Sequence, residues 1–164
     1  MAVTHKLIQT ITVGSGGAAS IDFTSIPATY TDLMLLLSAR STDLRALSIK
    51  FNNTATTYTV SHLDGDGASA TSNNFSLAGD AVPSTATASV FGNNSYYIPN
   101  YAGSAQKSYS VDSVTENNGT TAYQHFTGGL WNGTSAITQI TFSIVSSGNL
   151  AQYSSASLYG IKNS

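Results

Sequence analysis

The residues able to do chemistry are few and widely spread. The chain has three histidines, seven aspartates, a single glutamate and no cysteine. The densest acidic group is His62-Leu63-Asp64-Gly65-Asp66-Gly67, with two carboxylates two residues apart among glycines. Such oxygens suit Ca²⁺, but an EF-hand loop needs a third ligand and a bidentate Glu at its twelfth position. Counted from Asp64 that position is Phe75, so a plain turn is expected. His5, His62 and His125 lie at least 57 residues apart, without metal-ligand spacing. A Ser-His-Asp triad would lack the Gly-x-Ser-x-Gly elbow that usually presents its serine. The paired carboxylates of a glycosidase would have to come from the aspartates and Glu116. That glutamate precedes Asn117-Asn118-Gly119, where a strand end explains it without catalysis. We therefore expect no catalytic residues, no metal and no cofactor, and a protein that is not an enzyme.

What the chain has in quantity is shape-forming material. Of 164 residues, 46 are Ser or Thr and only 9% are charged, against about 25% in an average domain. At this length one domain with its own core is expected. A net charge of −2, with six Lys and Arg in all, cannot supply the basic face that nucleic acid requires. Met1 to Val13 has no uninterrupted apolar stretch of the kind a secretory signal carries. The longest apolar run, Leu33 to Leu37, is far below the roughly 18 residues of a membrane span. Neither a nucleic-acid nor a membrane partner is expected. Five Asn-x-Ser/Thr sequons, at Asn52, Asn74, Asn93, Asn118 and Asn132, follow from a composition so rich in these residues.

The dominant hydrophobic period is two, the strand period. Leu7, Ile11 and Val13 lead into a turn at Gly14–Gly17, and Ile21 and Phe23 alternate up to Pro27. Leu33 to Ala39 reads as a strand covered on both faces, although Leu33 to Leu47 also admits a helix. Leu47, Ile49 and Phe51 run into an Asn52-Asn53 turn, with Tyr58 and Val60 as the returning strand. Asp64 to Pro83 reads as a long surface excursion. Short strands at Val90-Phe91 and Tyr96–Ile98 flank an expected turn at Gly92-Asn93-Asn94. Tyr109–Ser113 and Tyr123–Leu130 flank an Asn-Gly hairpin signal, Ile140–Ile144 follows, and Leu158–Ile161 ends the chain. The expected fold is all-β: an antiparallel, jelly-roll-like β-sandwich of about nine to eleven short strands. Residues 1–164 form one domain, with 1–17 an N-terminal arm or edge strand.

The stretches Ser20-Ile21-Asp22-Phe23-Thr24-Ser25-Ile26-Pro27, Tyr30-Thr31-Asp32-Leu33, Ile137–Phe142 and Ser155-Ala156-Ser157-Leu158-Tyr159-Gly160-Ile161 together carry a resemblance. In them the chain resembles the small β-sandwich proteins of tailed-bacteriophage virions, which serve as capsid decoration (cement) proteins or as parts of tail fibres. The resemblance implies a virion structural protein made in the host cytoplasm. A chain running from Met1 to just past its last strand, without a shaft segment, favours a decoration protein on the capsid surface. Its partner would be the major capsid protein, and the family implies a homotrimer. The alternative is a receptor-binding domain of a tail or head fibre that recognises host polysaccharide. Tyr buries area while keeping a polar tip, so Tyr96, Tyr97, Tyr101 and Trp131 are candidates for an interface, with ordinary sandwich core as the competing reading. Thr4, Leu7 and Ile8 are further candidates, on a strand able to add to a neighbour's sheet edge.

Overall fold

The computed structural model describes residues 5–54, 58–74, 78–116, 118, 119, 121–145 and 147–162. Thr4, one of the interface candidates, lies outside them. The described residues form eleven strands: β1 (His5–Thr12), β2 (Ser20–Phe23), β3 (Asp32–Ala39), β4 (Leu47–Phe51), β5 (Tyr58–Gly65), β6 (Ala70–Asn73), β7 (Gly92–Ile98), β8 (Lys107–Glu116), β9 (Ala122–Trp131), β10 (Ile140–Ile144) and β11 (Ser155–Ile161). No helix occurs among them, so Leu33–Leu47 holds most of β3 and the first residue of β4, and no helix.

The strands pair antiparallel in two sheets, an eight-stranded one of order β1-β11-β3-β7-β8-β9-β5-β6 and a three-stranded one of order β2-β10-β4. This is the architecture of a β-sandwich, and the strand order does not establish a jelly roll in particular. Strict alternation makes it. In β8 every second residue from Lys107 to Thr115 is buried while those between are exposed. The inner faces meet in one core, where Phe51 of the small sheet packs edge-on against Tyr109 and Trp131 of the large one, centroids 5.6 Å apart in both pairs. Tyr96 of the large sheet and Phe142 of the small one meet at a tilt, 4.9 Å between centroids.

Three local expectations are corrected. β5 does not return beside β4 after Asn52-Asn53, although both asparagines adopt positive φ. The chain crosses to the other sheet instead. Asn52 holds that corner by donating to the Ala136 carbonyl and accepting from the Thr138 and Gln139 amides. Asn93 and Asn94 are no turn but the middle of β7, with Asn94 fully buried. The stretch from Asp64 to Pro83 is no surface excursion throughout: it adds strand β6, and then residues 78–82 run buried against the large sheet.

Two cations are spent inside the fold. The Lys107 ammonium, 1% exposed, donates to the carbonyls of Gly103, Ala105, Thr134 and Ser135 at 2.6–3.0 Å. Arg40 likewise donates to the carbonyls of Ser84, Ala86, Thr87 and Val90. Each staples a loop that lacks ladder partners of its own, where unpaired carbonyls would otherwise be costly.

Candidate functional site

Several strands of the large sheet bury more than their apolar residues. β5 turns Val60, His62 and Asp64 to the inner face, and β9 turns Tyr123, His125 and Thr127 the same way, since side chains two apart share a face. Pairing then sets them opposite one another: His125 against Asp64, and Thr127 against His62. The same row continues to Ser113 on β8, Asn94 on β7 and Thr71 on β6. A polar line Asn94–Ser113–His125–Asp64–Thr71 therefore crosses five strands on the inner face.

The buried 78–82 segment docks on this line. The Asp80 amide donates to Asn94 Oδ1 (3.2 Å) and Ser113 Oγ (3.0 Å), and Asn94 Nδ2 donates back to the Asp80 carbonyl (3.0 Å). Gly79 sits at φ +96°, and a Cβ there would lie 2.4 Å from Asn94 Oδ1, so both its conformation and its space require glycine. The Tyr96 hydroxyl donates to the Ala78 carbonyl at 2.5 Å, and burial pushes that phenol's pKa well above its ordinary value.

At the centre His125 is gripped from both sides. Its Nδ1 is 2.6 Å from Asp64 Oδ1. Its Nε2 is 3.0 Å from Asp80 Oδ2, within ion-pair range but without an aligned hydrogen bond. The Asp80 carboxylate is the main reason the His125 pKa is raised; burial opposes the rise, and Asp64 adds to it. Asn73 Nδ2 donates to the other oxygen of Asp64 at 2.7 Å. Arg45 Nε lies 3.3 Å from Asp80 Oδ2, and its guanidinium stacks 5.3 Å from the Tyr123 ring centre. His62 turns its Nδ1 to Thr127 Oγ1 at 2.7 Å. With a carboxylate facing each nitrogen, the charged form of His125 is favoured and its ring is held between Asp64 and Asp80.

Around these groups the surface opens into two adjoining clefts of about 280 and 290 Å³, which share Arg45, Asp64 and His125. Asp66 lies on the second but is tied into its own turn, accepting from the amides of Ala68 and Ser69; these bonds lower its pKa. Among the described residues no group of three or more His, Asp or Glu side chains is arranged to hold a metal ion.

The interface candidates fall in different places. Tyr96, Tyr101 and Trp131 are 0–1% exposed and belong to the core, so the competing reading describes them and no partner reaches them. Tyr97 is exposed on the outer face of the large sheet, where its hydroxyl donates to Asp32. Leu7 is half exposed on edge strand β1, while Ile8, at a bulge in the β1–β11 pairing, packs partly on the core. Glu116 accepts from the Thr87 and Asn118 amides as a loop cap. Arg45, Asn73 and Asp80 escaped the sequence reading, because nothing local links them to His125.

No family model, no curated protein and no solved structure matches this chain.

Proposed function

We propose that the chain is a bacteriophage virion structural protein, a capsid decoration (cement) protein that bridges and stabilises neighbouring capsid subunits, acting as a homotrimer on the capsid surface. The virion assignment rests on the sequence resemblance. The observation that supports a bridging role is the outer face of the eight-stranded sheet. Two adjacent rows run across it, Ser157–Leu36–Ser95–Asp112–Phe126–Leu63 and Tyr159–Met34–Tyr97–Ser110–Gly128–Ser61. Asp112 is the one charged residue in them. Seven of the ten exposed large apolar side chains among the described residues lie on this face: Leu7, Leu36, Leu63, Tyr97, Val114, Phe126 and Leu130.

Large apolar side chains gathered on one face, among neutral serines and glycine, suit a docking surface. Neutral Ser and Tyr groups cost far less to desolvate than charges do, so the face suits burial against another protein. Bound only to the assembled shell, such a protein stabilises it by mass action. The test is where the protein sits on the virion. Antibody labelling of the phage that encodes it is expected to find many copies over the head. A few copies at a tail or fibre tip, with labelled protein adhering to host cells, would instead make it the receptor-binding domain.

A further inference from the structure

We propose that residues 78–82 are a strap closed by a pH-sensitive catch: charged His125 holds Asp80, and as the ring loses its proton at rising pH the strap opens while the strands beneath it stay paired. The proposal is independent of the capsid reading. On one side the strap's backbone bonds residues 39–47, through Ala78, Gly79, Ala81 and Val82. On the other it bonds the Asn94 and Ser113 side chains. Three of its five residues are Ala78, Gly79 and Ala81, so lifting it exposes little apolar area. Segments of that kind open locally, at a smaller free energy than global unfolding. Asp64 and His125, in contrast, stand on strands that pair along the whole of β5.

The catch lies at Asp80, whose side chain is 5% exposed and meets two cationic groups, His125 Nε2 at 3.0 Å and Arg45 Nε at 3.3 Å. Arg45 is 47% exposed, so solvent weakens its hold. A charged ring carries a proton on each nitrogen, one facing Asp64 on β5 and one facing Asp80, and so ties the strap to the sheet. A neutral ring keeps one proton. The 2.6 Å Nδ1 contact with Asp64 is a hydrogen bond, whereas the Nε2 contact is not aligned as one, so the remaining proton stays on Nδ1. Nε2 then turns a lone pair on the Asp80 carboxylate, a costly neighbour for a buried charge. The other groups around the ring supply no substitute. His62 of β5 has its Nδ1 on Thr127, Tyr123 of β9 lies under Arg45, and Asp66 is tied into its own turn. The Tyr96 phenol of β7 stays protonated, its pKa pushed far up by burial. Asn73 of β6 and Ser113 of β8 do not titrate. Because the pKa of His125 is raised, first by Asp80, the strap is closed below 6.5 and opens as pH climbs through the higher folded value.

The experiment is hydrogen exchange on the purified full chain between about pH 5.5 and about pH 9, either side of the ordinary histidine value, corrected for intrinsic exchange rates. It reads the bonded amides of Ala78, Asp80, Ala81 and Val82 against those of Tyr109 and Val111 in β8. A pKa displacement of one unit corresponds to about tenfold in the opening equilibrium. Protection at the four strap amides is therefore expected to fall on the order of tenfold, with the β8 amides keeping theirs. H125Q and D80N, checked for folding by thermal melts, are each expected to abolish the pH dependence of the strap. Strap protection that does not change with pH, or that falls in step with β8, would overturn the proposal. So would a native pH dependence retained in H125Q, which would place the titration at His62 or His5 instead.

Discussion

Lys107 carries a fully buried ammonium on four backbone carbonyls, 5.7 Å from the Trp131 ring. Replacing it with Met keeps the stem but strands those acceptors, and leaving buried polar groups unpaired costs about 1–3 kcal/mol each. We expect K107M to lose about 3 kcal/mol or more, read as a lower urea midpoint with an unchanged slope. His125 gives the pH dependence. Its folded pKa lies above the ordinary 6.5, so its contribution is fully present below 6.5 and is lost as pH rises through the raised folded value. The melting temperature is therefore expected to fall over that interval, and H125Q to flatten the fall. A native melting temperature that rises there would refute the pairing. Parts of this were legible in the chain. Lys107 shares one parity with Tyr109 and Val111, so alternation turns it inward, whereas the His62–Gly67 group was expected to be a turn and its first four residues instead continue strand β5. That Asp80 and Arg45 meet His125 was not legible, because the contact depends on where an irregular segment docks.

At the scale of elements, period-two patterning identified most of the strands, and the Asn117-Asn118-Gly119 signal placed the β8–β9 hairpin. It failed where a polar residue works inside a strand. Asn94 carries turn propensity, yet in β7 its side chain bonds the 78–82 backbone as a neighbouring strand would. Residues 78–82 look like loop in sequence for the complementary reason: small residues are what fit against that row. Close approach makes one strand position testable. A Cβ on Gly129 of β9 would lie 2.1 Å from the Tyr109 ring, and overpacking a core costs about 1–3 kcal/mol. G129A is expected to melt several degrees lower with its β spectrum intact, whereas G128A, with open space around it, is not. Edge strand β1 offers another test. Deleting Ala2 to Lys6 leaves the paired Leu7–Thr12 stretch, so the protein should fold, and unchanged capsid attachment would exclude β1 as an arm reaching a neighbour.

The whole molecule is arranged around scarce charge. Of six Lys and Arg, Arg40 and Lys107 are spent on loop carbonyls and Arg45 on the cleft, and the remaining lysines stand exposed away from the central rows of the outer sheet face. A broad face without cations is ill suited to salt-bridged attachment and well suited to contacts that salt hardly screens. The central claim is that this face cements a shell. The most direct test measures the temperature at which heads lacking the protein release their DNA, with and without purified protein added back. The account predicts that deficient heads assemble but leak at lower temperature, that added protein restores them even at high ionic strength, and that charged substitutions at Leu36 and Phe126 abolish the rescue. Deficient heads as heat-stable as native ones, on particles that no longer adsorb to host cells, would contradict it.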